Sequence, residues 1–499
     1  MNLDALLLLA ILSSSLIPGL VIFGLPEERH RLRTLLNLAG AFVKLSLVGV
    51  LFLGVYSGHE YAFRLPLLPG LDLVLHADAL SLLFIVLSAF LWFVTTVYAV
   101  GYLEGAPNRS RFFGFFSLCV SATTGIALAG DLVTFVIFYE MLTISTFPLV
   151  VHRGTPEALR AGRIYLAYTL SGGVVLLVAT AWLRVLAGPL DFVPGGFLAG
   201  LDAALYPTLQ FLFGLLMVAL GVKSALVPLH SWLPTAMVAP APVSALLHAV
   251  AVVKAGAFGI ARVVYDVYGI GFALQLGVLL PLAALAAVTI VYGSVRALFQ
   301  DDLKRRLAFS TVSQVAYIVL GVAIAGPLAT IGGLVHLVHQ GMMKITLFFC
   351  AGNLAETLGI HKISEMAGVG RRMPWTMAAF TLGALGMIGV PPMVGFISKW
   401  YLALGGLEAG QSWVVVLLVV STLLNAAYFL PILYTAWFGH QHQSWPHEHL
   451  GDEHRETTWA LLLPPLITAA LVVLLGVFAS APLSPLQWVQ LIAAREYGP

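Results

Sequence analysis

Residues 221–256 read GVKSALVPLHSWLPTAMVAPAPVSALLHAVAVVKAG. Two lysines, Lys223 and Lys254, and two histidines, His230 and His248, sit there among apolar neighbours. Four prolines, Pro228, Pro234, Pro240 and Pro242, interrupt the same stretch. A charge inside a bilayer costs roughly 2.5 to 3.5 kcal/mol on insertion scales, so such residues usually mark an ion path. Proline-broken backbone at membrane depth persists only where protein or a water-filled cavity meets the freed polar groups. Together the two features imply a wetted, protonatable passage inside a helical bundle.

Composition describes the surroundings of that stretch. The chain has 499 residues, 60% hydrophobic and 10% charged, against roughly 25% charged in a soluble domain. Apolar runs of spanning length recur from end to end, which reads as an all-α polytopic membrane protein embedded in a lipid bilayer. A net charge of +2, with no basic patch interleaved with aromatics, gives no sign of nucleic acid as a partner. Two isolated cysteines, Cys119 and Cys350, exclude a disulfide framework and an iron–sulfur site. Met1 to Leu20 lacks a basic leading region and reads as a retained first span.

About fourteen spans are expected, at 3–24, 34–56, 79–101, 112–130, 132–151, 163–187, 207–229, 243–266, 272–296, 308–326, 328–351, 375–406, 412–438 and 458–480. The longest gaps, 57–78 and 188–206, are rich in Pro, Gly and Leu. Basic residues crowd every second loop: Arg29, Arg31 and Arg33, Arg109 and Arg111, Arg153, Arg160 and Arg163, Lys304, Arg305 and Arg306, and Lys362, Arg371 and Arg372. The alternate loops hold Arg64, Arg184, Arg262 and Arg495. The positive-inside rule then makes the odd-to-even loops cytoplasmic, with both termini outside the cell's inner (plasma) membrane.

Arginine and lysine segregate. All eighteen arginines fall in loops or at span ends, whereas five of seven lysines, Lys44, Lys223, Lys254, Lys344 and Lys399, fall within spans. Arginine keeps its proton in a protein, while a buried lysine can release one. Fixed charge could use either residue; charge that comes and goes needs lysine. Lys44 lies outside the repeats proposed below and reads as structural or lipid-interfacial.

Several constellations follow. Glu140, in FYEMLTISTFPL, is the one carboxylate well inside a span, and Lys223 is its candidate partner. The pair is either a static pin between helices or a gate on a neighbour's protonation. Lys223 precedes Pro228 by five residues and Lys399 follows Pro391-Pro392 by seven, in spans seven and twelve. Paired breaks of this kind point to inverted repeats, so spans four to eight and nine to thirteen become two five-helix halves. The bounds are 1–111, 112–268, 269–439 and 440–499. His336, Gln340 and Lys344 step by four along one helix face, with His339 beside them. Relay, structural packing and a metal site are the readings; two histidines without a nearby carboxylate or thiolate are weak for metal. His248 and Lys254 stand six residues apart, about 120° around an unbroken helix, and both are placed in the relay. His230 serves a turn or a proton equally well. Asp301, Asp302, Lys304, Arg305 and Arg306 read as topological anchoring or a partner contact, and His440, His442, His447, His449 and His454 as a solvated linker. Without a GxxxxGK[ST] loop or a haem signature, the chain carries no ATPase or electron path of its own. No cofactor or metal is expected.

These stretches, with DLKRRLAFSTVSQ, HLVHQGMMKITLFF and GVPPMVGFISKW, resemble the antiporter-like subunits of respiratory complex I, membrane-bound hydrogenases and Mrp-type cation/proton antiporters. The resemblance covers about 110 to 400. It implies fourteen helices, inverted repeats and a hydrated polar axis. By residue, it implies Glu140 and Lys223 as the coupling pair, Lys254 and His248 as a bridge, His336, His339 and Lys344 as its continuation, and Lys399 as the far proton site. The length resembles an Mrp D-type subunit, while APVSALLHAVAVVKAG is closer to the A-type and largest-subunit pattern. The expected function is proton translocation in a multisubunit monovalent cation/proton antiporter, with sister membrane subunits and Na+ or K+ as partners. The alternatives are a proton-pumping subunit of a complex I-like oxidoreductase or hydrogenase, and a membrane partner of an inorganic-carbon uptake complex.

Overall fold

The computed structural model describes residues 3–440, 445 and 456–498. In a bilayer each backbone polar group must be met within its own segment, and helices do this. The chain runs through α1 (Leu3–Phe23), α2 (His30–Tyr56), the strands β1 (Tyr61–Leu68) and β2 (Leu71–Ala77), α3 (Ala79–Tyr102), α4 (Arg109–Leu128), α5 (Leu132–Val150), α6 (Pro156–Ala187) and α7 (Tyr206–Lys223). The broken stretch follows as α8 (Trp232–Thr235), α9 (Ala241–Ala245), a π turn over Leu246–Val250, α10 (Val252–Arg262) and a second π turn over Val263–Tyr268. Then come α11 (Ile270–Gln275), α12 (Leu279–Leu298), α13 (Leu303–Ala323), α14 (Pro327–Leu358), α15 (Val369–Arg372), α16 (Pro374–Ile388), α17 (Val394–Glu408), α18 (Trp413–Phe438), α19 (Trp459–Val477) and α20 (Pro485–Tyr497).

Among the described residues thirteen helical stretches are long and apolar enough to cross a membrane. The expected passage at 375–406 is the fourteenth, divided into α16 and α17 around Gly389, Val390 and Pro391-Pro392. Asp78, Asp131, Thr155, Asp302 and Ser484 cap helix starts with side-chain oxygens on backbone N–H groups. Residues 241–268 and the apolar core of α14 are wholly buried, whereas the cores of α1 and α2 are only 28% buried. The bundle is therefore organised around α14, α13 and the broken stretch. Its rim shows Phe42, Val50, Leu177, Val419 and Leu423 outward, the surface a bilayer solvates.

The 57–78 gap is not an irregular loop. β1 and β2 pair antiparallel, Tyr61 opposite Ala77, around Pro69-Gly70, where Gly70 has φ +77°. The alternation in YAFRLPLLPGLDLVLHA, with its Pro-Gly turn, was the available signal. Arg64 pairs with Asp72 and Asp191, and Arg184 donates to the Gly70 carbonyl. At the opposite end Glu27 accepts from the N–H groups of Arg109 and Ser110, and Arg111 donates to the His152 carbonyl. Arg153, Arg160, Lys304, Arg305 and His361 share one cavity there. The basic loops thus do collect at one face, opposite the hairpin. Of the histidine-rich run only His440 is described; His442, His447, His449 and His454 lie outside the described residues.

Two arginines depart from the segregation. Arg33 and Arg262 are buried, at 1% and 2% exposure. Arg262 bonds Asp78, Asp266 and Ser81, and Arg495 of α20 reaches the same two carboxylates. Asp266 is a wholly buried carboxylate, whereas the Glu140 singled out above is half-buried. Burial alone would raise the Asp78 carboxyl, but Arg262 and then Arg495 hold it well below the usual range. Burial, with Asp266 adding to it, pushes Glu496 up to about 7, against the pull of Arg495. A carboxyl raised in the folded state is favoured when protonated, so the docking of α20 weakens as pH rises from 4.5 through about 7. Glu496→Gln should flatten that decline. Thermal melting of the purified protein across this range checks it.

Candidate functional site

The intramembrane lysines and histidines named from the sequence are buried, and Glu140 is half-buried. At one end Glu140 faces α6. A Cβ at Gly173 would collide with its carboxylate, so only glycine leaves room. Lys223 is the last residue of α7, and its amine donates to the carbonyl of Tyr139 and lies 3.3 Å from the centre of the Tyr139 ring. Charge on Glu140 and Lys223 acts on the other. The two are neighbours through Tyr139, and Glu140 Oε1 has no protein partner.

After Lys223 the helix stops. Ser224 and Ala225 turn the chain, with φ +55° at Ala225, and helix resumes at the single turn of α8 and then at α9. His248 lies in the first π turn, and the backbone leaves helical angles at Ala251, with φ −111° and ψ −80°. The unbroken-helix geometry expected for His248 and Lys254 therefore does not hold. The π turn re-aims both residues; the Lys344 charge reaches His248, and the Lys254 charge reaches Lys344. The His248 ring stacks on Phe348 at 4.5 Å. Neither His248 nitrogen nor the Lys254 amine has a protein partner. His230 packs edge-on to Tyr292 at 4.9 Å, beside the turn.

Along the unbroken α14, Lys344 donates to the Leu307 carbonyl at 3.1 Å and to Ser310. His336 Nδ1 is 2.8 Å from Ser398 Oγ on α17. His339 bonds the backbone of Val394, and the Lys254 charge reaches both histidines. Gln340 and Gln314 lie in this region with both amide ends unpartnered; Gln314 was missed in the sequence because a lone glutamine in an apolar run carries no spacing signal. At the far end Lys399 donates to the Ile388 carbonyl at 2.6 Å, Met387 at 3.3 Å and Thr422 Oγ1 at 3.1 Å. It fills the carbonyl end of α16, where a cation is favoured. Tyr317 joins this end, its hydroxyl 2.7 Å from Ser421 and its ring 5.8 Å from the Lys399 amine.

Each buried polar atom without a partner costs about 1–3 kcal/mol unless water meets it. Among the described residues, ten of the eighteen such atoms sit on Glu140, His248, Lys254, Gln314, His336, His339 and Gln340. Lys44 lies apart from the axis. It is wholly buried between α2, α3 and α4, so the lipid-interface expectation for it is wrong.

Gly173→Ala should displace the Glu140 carboxylate and lower proton flux on the order of tenfold or more, with assembly intact. Flux through vesicles checks this, and Leu177→Ala, on the lipid-facing side of α6, serves as the neutral control.

The family model "NADH:quinone oxidoreductase/Mrp antiporter, TM" matches residues 129–425, and "NADH-Ubiquinone oxidoreductase (complex I), chain 5 N-terminus" matches 70–113. The chain is 38% identical over 373 residues to NADH-quinone oxidoreductase subunit N of Desulforudis audaxviator, covering 74% of this chain and 73% of that one. It is 31% identical to hydrogenase-4 component B of Escherichia coli over 82% of its own length, but spans only 63% of that protein. A chain of the Mrp complex from Dietzia superposes with a TM-score of 0.86 at 23% identity, covering 100% of this chain and 98% of that one. With more than half of its length matched, the chain belongs to the NADH:quinone oxidoreductase/Mrp antiporter transmembrane family of proton-translocating membrane subunits.

Proposed function

We propose that this protein carries protons along the Glu140–Lys223–His248–Lys254–His336/His339–Lys344–Lys399 axis, as one membrane subunit of a multisubunit monovalent cation/proton antiporter. The observation that carries this reading is the set of titratable side chains, Glu140, His248, Lys254, His336 and His339, that are left with unpartnered buried atoms. A static scaffold would meet those groups with protein; a relay leaves them to exchangeable water. The two lysines at helix breaks, Lys223 and Lys399, bracket the path as its gates, and residues 112–268 and 269–439 form its two inverted halves. Sister membrane subunits supply the rest of the coupling, and Na+ or K+ is the exchanged cation. The basic face is cytoplasmic in the cell membrane, by the positive-inside rule.

The full-length fold shared with a chain of an Mrp complex accords with the antiporter as host. The 38% identity to an NADH-quinone oxidoreductase subunit supports a second reading, in which redox chemistry elsewhere in a complex drives the same axis.

Glu140→Ala and Lys223→Ala should each abolish coupled transport while the complex still assembles. Proton-driven cation exchange in inverted vesicles is the measurement, and wild-type exchange in either variant contradicts the axis. Lys399→Arg keeps the charge but should cut flux on the order of a hundredfold, because guanidinium does not release its proton at neutral pH. Retained activity in that variant would show Lys399 to be a fixed cap on α16.

A further inference from the structure

The N-terminal helices hold a buried amine that the axis does not use. Lys44 of α2 has no solvent exposure. Its amine donates to Thr124 Oγ1 at 2.6 Å and lies 5.5 Å from the centre of the Trp92 ring. An ammonium has three protons to place, and no carboxylate pairs with this one among the described residues. Of the titratable groups on the elements packed around it, Asp4 is held by His59 at the hairpin end, Cys119 meets Thr146 and Tyr98 donates to the Phe349 carbonyl. Arg109, Arg111 and Tyr102 sit at the basic end, as do His30, Arg31 and Arg33 of α2 itself. Among the described residues nothing charged faces Lys44.

Polar groups lead from it in one direction only. On α4, Ser110, Ser117, Ser121 and Thr124 recur at helical spacing on one face. Against them on α2, Arg33 donates to Ser110 Oγ at 2.7 Å, and Asn37 Oδ1 accepts from Ser117 at 3.1 Å. Between Asn37 and Lys44, about 10 Å along the helix, stand only Gly40 and Ala41 on the buried face of α2. There Ser121 comes from α4 and Ser15 from α1. The ladder ends at Glu27, whose side chain is 44% exposed at the basic face. Toward the hairpin, Val48 and Leu51 close the route with apolar bulk. A second, independent observation marks the inner end. Trp92 Nε1 and Ser88 Oγ, one turn apart on α3, are buried with no protein partner, as atoms that meet water are.

We propose that Lys44 is a second proton-binding site, loaded from the basic face through the Asn37–Ser117–Ser121 ladder. A peg between α2 and α4 needs no amine, because an apolar side chain of similar length fills that space without desolvating a charge. A proton store needs a base with a polar route on one side, and the polar side chains between Lys44 and Glu27 lie on one side only. The proposal rests on proton translocation as the protein's function.

The test uses the complete complex in proteoliposomes. Lys44→Met and Lys44→Arg should each lower proton flux on the order of tenfold with assembly intact. In the wild type, a small water-soluble amine-acylating reagent added at the basic face should modify Lys44, read by mass spectrometry. Asn37→Leu should protect it without changing modification of Lys362. Wild-type flux in both Lys44 variants overturns the proposal, and so does flux restored by Lys44→Arg with Lys44 unmodified in the wild type. Lys223→Ala, run in parallel, separates the two readings. If it is silent, proton translocation along the axis is wrong; if it abolishes flux while the Lys44 variants are silent, only the second site fails.

Discussion

A polar group withdrawn from water must find a partner or lose several kcal/mol, and this constraint shapes the whole molecule. In the outer helices backbone hydrogen bonds meet it and the side chains are apolar. At the centre it is met incompletely, on side chains that can take up or release a proton. Where the same constraint is met by fixed charge, as Arg262 and Arg495 do between Asp78 and Asp266, the result is a rigid clamp that ties α20 to α3 and α10. The two solutions divide the protein into a pinned cluster of charges beside the hairpin and an interior whose titratable side chains lack full protein partners.

The helix breaks place the interior. Lys223 ends α7 and Lys399 fills the carbonyl end of α16, so each break leaves backbone groups that a nearby amine can serve. The π turns around His248 and Val263–Tyr268 do similar work in the broken stretch, shifting side chains by a residue's rotation toward α14. A regular helix through 241–268 would have sent His248 and Lys254 to different faces. Small residues permit the close approach: Gly173 makes space for Glu140, and Gly389 packs on the Lys399 side chain.

Much of this was legible in the chain. Span count, the division at span twelve and the gathering of basic loops follow from apolar run length, proline and arginine placement, which report on the bilayer directly. The buried lysines and histidines were legible because a polar side chain is conspicuous in an apolar run. What escaped was whatever depended on contacts between distant segments. Asp78 and Asp266 fall at span ends and look solvated until Arg262 and Arg495 are brought to them. Lys44 looked peripheral because α2 is mostly lipid-facing, yet its narrow buried face turns the amine inward. The π turns have no sequence signature at all.

The central claim is that the thread from Glu140 to Lys399 is wetted. A cryo-EM map of the host complex, at a resolution that shows ordered water, tests it most directly. The account predicts water density touching Lys254, Gln340, His336 and the unpaired oxygen of Glu140, in an unbroken file between Lys223 and Lys399. Dry, closely packed side chains at those positions would contradict it.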